Sequence, residues 1–109
     1  MLKFLIIIGA TLLFVAHVQA ETNPVCTLSL DQAENRCKEK LLETYPNQYS
    51  LVKTLLNHNM EAYMQICRIP NTDPHRAILN NLNGTYPYSY SLILTLYKHN
   101  IKAYQDLNR

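Results

Sequence analysis

The sequence predicts an all-α protein, a small disulfide-stapled four-helix bundle made of two tandem αα-hairpin repeats of 41 residues. Three observations lead there. Apolar residues recur at helical spacing in four segments, with no alternating strand pattern and no glycine-rich hairpin turn between them. A block of 20 residues, 44–63, aligns without gaps on 85–104 with 12 identities. Three cysteines follow a segment with the layout of a secretory leader. The alignment extends outward, placing Leu41 on Leu82, Leu28 on Ile69 and Cys26 on Cys67. Residues 26–66 and 67–107 are then two copies of one unit that cannot bury its apolar face alone, and they are expected to pack as one domain over 21–109.

The elements follow in chain order. Met1-Leu2-Lys3 is a short basic opening, residues 4–18 are almost unbroken apolar sequence, and Val18-Gln19-Ala20 carries small residues at both ends of a cleavage motif. A run of about 15 apolar residues falls short of the roughly 20 that a membrane helix needs. The expectation is a signal peptide over 1–20, cleavage before Glu21, secretion and no membrane span.

The first helix is predicted over 30–43. Leu30, Ala33, Cys37 and Leu41 share one side, and Ser29 with Gln32 has the spacing of a capping box. The second is predicted over 46–68, opened by Pro46, with Leu55, Leu56, Asn59, Tyr63 and Ile66 all within about 60° of Val52. The third, over 74–83, takes Asp73 as N-cap and Pro74 as its first-turn proline, carries Ile78 and Leu82, and ends on Gly84 as a left-handed cap. The fourth, over 87–107, repeats the long stripe through Ile93, Leu96, Tyr97, Asn100, Tyr104 and Leu107.

Hairpin geometry ranks the cysteine pairings. With the first turn centred on Tyr45, Cys26 lies 19 residues before it and Cys67 lies 22 after. At about 1.5 Å per residue the two arms end at nearly the same height, whereas Cys67 overshoots Cys37 by roughly 20 Å. Cys26–Cys67 is the expected bond. Cys37, aligned with Ile78, is expected as a buried free thiol, ahead of a link between two chains.

Composition narrows the chemistry. The whole chain is 17% charged, and residues 21–109 hold nine Lys and Arg against eight Asp and Glu with no basic run, so nucleic acid is not an expected partner. No nucleophile elbow, His-Glu-x-x-His or phosphate-binding glycine loop occurs. The protein is read as a non-enzyme, with no cofactor and no metal site. His58-Asn59 recurs as His99-Asn100. These four residues are candidate linings of a ligand cavity, although Asn59 and Asn100 are read first as amides that fix the hairpin register.

Tyr45, Tyr49 and Tyr63 recur as Tyr86, Tyr90 and Tyr104, while Tyr88 and Tyr97 have no copy. Tyr63, Tyr97 and Tyr104 are expected in the core. Tyr86, Tyr88 and Tyr90 form a candidate interface cluster, core packing being equally open for the last two. Asn83-Gly84-Thr85 is an N-glycosylation sequon expected in a turn. The functional expectation is a secreted, non-enzymatic protein that binds an extracellular protein or receptor, as an effector, venom, toxin-like or salivary-type component does. The alternative is an extracellular carrier of a small apolar ligand held within the bundle.

Overall fold

The computed structural model describes residues 22–109, and the expected signal peptide over 1–20 lies outside them. Within the described residues the chain forms four helices and no strand: α1 Leu30–Thr44, α2 Tyr49–Ile66, α3 His75–Thr85 and α4 Tyr90–Leu107. α1 packs on α2, α2 on α4, and α4 on α3. The two long helices are therefore central, and each short helix lies outside its own long partner. α1 and α3 are not neighbours. Ala33, Cys37, Ala62, Tyr63, Ile66, Leu79, Leu82, Tyr90, Ile93 and Tyr97 join Val25 in one continuous core.

α1 begins where the sequence signals it. The Ser29 hydroxyl accepts from Gln32 N–H at 3.2 Å, and the Gln32 side chain accepts from Ser29 N–H at 3.1 Å. These two bonds satisfy donors that a helix start leaves without partners. Leu30, at the first position, remains half exposed, so the buried stripe of α1 starts at Ala33.

The long helices begin three residues later than the prolines suggested. Tyr45–Gln48 and Tyr86–Ser89 are turns rather than first helical turns. In each, the N–H of the leading Tyr still bonds a helix carbonyl (Tyr45 to Leu41 at 2.9 Å, Tyr86 to Leu82 at 2.8 Å). A second bond then closes the turn, from Gln48 to Tyr45 at 3.3 Å and from Ser89 to Tyr86 at 3.2 Å. Pro at the second turn position, followed by a residue with positive φ, is the arrangement of a type II turn. Asn47 and Tyr88 supply that φ, at 64° and 63°. Asn tolerates it well; a tyrosine there is strained.

The start of α3 also differs. Pro74, joined to Asp73 by a cis peptide bond, is itself the N-cap, and Asp73 makes only an exposed pair with Arg76 at 3.4 Å. Gly84 is not a left-handed cap. It lies inside α3, no glycine has positive φ among the described residues, and the chain leaves the helix through Tyr86. A Cβ placed on Gly84 meets nothing within 4 Å. Gly84→Ala is therefore expected to stabilise the fold by about 1 kcal/mol, the helix-interior difference between the two residues, while leaving the sequon intact. Urea unfolding of the two proteins measures it; an unchanged midpoint contradicts the helical assignment of Gly84.

The Cys26–Cys67 disulfide spans a Cα–Cα distance of 5.2 Å and joins the approach to α1 with the C-cap of α2. This end lies opposite the Tyr45–Gln48 turn, so α1 and α2 run antiparallel. Cys37 is reduced and buried on α1. Beside the disulfide, Asn23 makes four bonds from a buried position. Its amide donates to Ile66 O at 2.8 Å and Ile69 O at 3.1 Å, and its carbonyl accepts from Val25 and Cys26 N–H, both at 3.0 Å. One side chain thus shapes the segment leading into α1 and satisfies carbonyls at and just beyond the end of α2. Tyr63 works alongside it, its hydroxyl donating to Leu28 O and accepting from Leu28 N–H at 3.2 Å. Asn23→Ala strands these buried groups and is expected to lower stability by roughly 3 kcal/mol. A loss under about 1 kcal/mol in denaturant titration contradicts that bracket.

Candidate functional site

The two hairpins meet where the Tyr86–Ser89 turn seats against α1 and α2. Its anchor is Tyr90, 2% exposed, whose ring lies 4.6 Å from that of Tyr63 at a 57° tilt. Such a tilted pair adds to what ring burial alone contributes. Two polar contacts fix the register. Lys40 on α1 donates to Pro87 O at 2.7 Å and Ser89 Oγ at 3.1 Å. Asn59 on α2 donates to Leu55 O at 2.7 Å and accepts from Ser91 N–H at 3.0 Å. Ser91 lies in the first turn of α4, where backbone donors have no helical partner. A side chain from the other hairpin therefore caps α4.

Beside this joint is a cleft of about 260 Å³, lined among others by Cys37, Leu41, Tyr45, Leu55, Tyr88 and Leu92. Cys37 is 1% exposed, and burial pushes its thiol up to about 11 against a weaker opposing pull from Lys40. A neutral thiol at physiological pH is neither a nucleophile nor a ready metal ligand. Burial likewise raises Tyr90, reinforced by Tyr63, Cys37 and Tyr88 nearby, and it raises Tyr63 and Tyr97. In every one of these groups the fold favours the neutral form. Stability is then full below the unfolded cysteine pKa near 9 and falls as pH rises toward 11. Unfolding midpoints between these pH values are expected to decline, less steeply in Cys37→Ala. A flat alkaline limb in the wild type contradicts the burial of these groups.

Not all the sequence candidates gather here. Asn59 and Tyr88 line the cleft, and Tyr86 is half buried in the turn beside it. Tyr90 is core, so it is not available to an outside partner; the cluster expected as one interface is divided by its own packing. Asn59 and Asn100 do not share a cavity. Asn100 is exposed on α4, where its amide donates to Leu96 O at 2.9 Å. His58 and His99 are both exposed. Among the described residues no group of three or more His, Cys, Asp or Glu side chains could hold a metal ion. Asn83 sits half exposed in the last turn of α3 rather than in a turn between helices.

Tyr97 is buried and its hydroxyl lies 2.7 Å from His75 Nδ1, which ties α4 to the start of α3. Tyr104 is 44% exposed, although its position in the stripe suggested core. Lys40, Leu92 and Asn23 escaped the sequence reading. The spacing of Leu92 from Leu55 across two hairpins carries no local signal. Lys40 reads as one charge among several on a solvated helix face. Asn23 lies outside every periodic segment. The chain matches no known protein family, no curated protein and no solved structure.

Proposed function

We propose that the protein is secreted and acts without catalysis, by binding a macromolecular partner outside the cell through the cleft at the hairpin junction. The observation that carries this reading is Tyr88. Its counterpart in the alignment is Asn47, which suits the left-handed turn position, yet the second turn holds a half-exposed tyrosine there at φ 63°. Such strain concentrates at binding sites, where a side chain is kept for what it contacts. Tyr88 lines the cleft with Leu55 and Leu92, and Leu92 is itself 42% exposed. At about 260 Å³ the cleft is smaller than the roughly 300 to 1,000 Å³ of small-molecule sites, and it suits an anchoring side chain from a partner. At this cleft a partner is favoured over a carried ligand.

Further support comes from the leader-like opening and from the disulfide, which is compatible with an extracellular location. We read the hairpins as tandem copies, and Asn83 as a glycosylation site. Tyr88→Asn is the informative change. Relief of the left-handed strain, about 1 kcal/mol, offsets the lost packing of a half-buried ring, so thermal stability stays nearly constant while partner binding is lost. A photo-crosslinking side chain at Leu92, exposed to the extracellular fluid of the source, should give a discrete macromolecular adduct that Tyr88→Asn removes. A small molecule released from the purified protein on denaturation, or an adduct insensitive to Tyr88→Asn, overturns the reading.

A further inference from the structure

The second hairpin carries an unfilled copy of the surface on which it sits. The internal joint has two halves. One is a socket on the first hairpin: Cys37, Lys40, Leu41, Asn59 and Tyr63. The other is a plug, the second turn with Tyr90 and Ser91. A shift of 41 residues turns the socket into Ile78, Asn81, Leu82, Asn100 and Tyr104, and the plug into the first turn with Tyr49 and Ser50. Ile78, Asn81, Leu82 and Asn100 do line one depression, of about 370 Å³, on the far side of the second hairpin.

At the two tyrosine positions each half is exposed where its counterpart is buried. Tyr49 is 67% exposed against 2% for Tyr90, and Tyr104 is 44% exposed against 2% for Tyr63. The polar groups are already oriented. Asn100 donates to Leu96 O as Asn59 donates to Leu55 O, but only Asn59 has its carbonyl engaged, by Ser91 N–H. The Asn100 carbonyl has no such partner, and the N-cap of α2 makes no side-chain bond. Tyr49 and Ser50 repeat the Tyr90 and Ser91 pair that fills the first socket. Charge also complements: residues 26–66 hold four Lys and Arg against five Asp and Glu, residues 67–107 four against two.

We infer that the protein associates head to tail with further copies of itself, the Tyr45–Ser50 turn of one copy seating on the Ile78–Asn100 socket of the next. Tyr49 then stacks on Tyr104, and Asn100 accepts from Ser50 N–H. The contact is heterologous and continues the internal interface outward, so it propagates into rings or filaments rather than stopping at a symmetric dimer. Tyr104 and Leu107 leave an exposed apolar strip along the last turns of α4. The inference rests on the tandem correspondence of residues and is independent of the Tyr88 cleft.

Sedimentation velocity on the purified protein tests it with two variants at exposed positions. Tyr49→Asp disables the plug; Asn100→Lys sets a cation against the positive end of the incoming helix. Between about 10 µM and about 1 mM the weight-average mass of the wild type should at least double, while each variant alone stays monomeric. An equimolar mixture should form a heterodimer and stop, since one intact plug and one intact socket remain. Tyr49→Ser with Tyr104→Ser is a second pair should either charge change disturb folding. A wild type monomeric throughout, variants that associate as the wild type does, or a mixture without heterodimer each overturn the inference. None of these outcomes bears on the Tyr88 cleft, which both variants leave intact.

Discussion

Replacing Cys26 and Cys67 together by serine is expected to lower the free energy of unfolding by about 4 kcal/mol. The bond closes a loop across a sequence separation of 41, and the chain-entropy relation gives that figure for a loop of this length. For a domain of this size each kcal/mol moves the melting temperature by roughly 4 to 8 °C, so a fall near 20 °C is expected. The size of the loss matters because total stability for such a domain is on the order of 5 to 10 kcal/mol. Guanidinium titration of the double variant against the wild type measures it. A loss below about 1 kcal/mol shows that Asn23 and Tyr63, which clamp the same end of the hairpin, suffice to hold it.

Tyr90→Ala should lose roughly 3 to 5 kcal/mol, whereas Tyr49→Ala should change stability by less than about 0.5 kcal/mol. The residues occupy matching places in the aligned blocks and differ in surroundings alone. Tyr90 fills the joint between the hairpins, against Tyr63 and the α1 wall at Cys37, and its removal opens a cavity beside these two core groups. Tyr49 reaches only as far as its own turn, with a weak 3.4 Å bond to Asn47. Thermal denaturation of each variant against the wild type measures both. Equal losses at the two positions contradict the asymmetric joint.

Much of this architecture was legible in the sequence because its physics is local. Four helices follow from apolar spacing, the start of α1 from Ser29 and Gln32, and the disulfide from the equal reach of two arms about a turn. The misplaced boundaries have a common cause. Proline suits the first turn of a helix and the second position of a type II turn equally well, and only the φ of Asn47 and Tyr88 separates the two. Gly84 misled because glycine near a helix end signals a cap, while here the chain exits one residue later without one.

The site was less legible because it is made between hairpins. Nothing near Asn59 in sequence indicates that it caps a helix starting 31 residues later, or that Asn100 is left exposed. Likewise Tyr90 and Tyr49 are indistinguishable until one turn finds a wall and the other faces solvent. Periodicity assigns a residue to a face; it does not say which faces the rest of the fold covers.

The packing order α1, α2, α4, α3 has a consequence for how the chain opens. Since α1 and α3 do not touch, the second hairpin is attached to the first through the α2–α4 contact and the seated turn, with residues 67–74 as its tether. The first hairpin is closed on itself by a covalent bond, and the second is not. The chain is thus divided into two cooperative units of unequal durability. Detaching the second hairpin exposes the Tyr63 wall while the disulfide keeps α1 and α2 together. That half-open form bares Lys40, Asn59 and Tyr63, which the seated turn covers in the closed fold. Amide protection should then fall in two tiers, with α3 and α4 in the lower one.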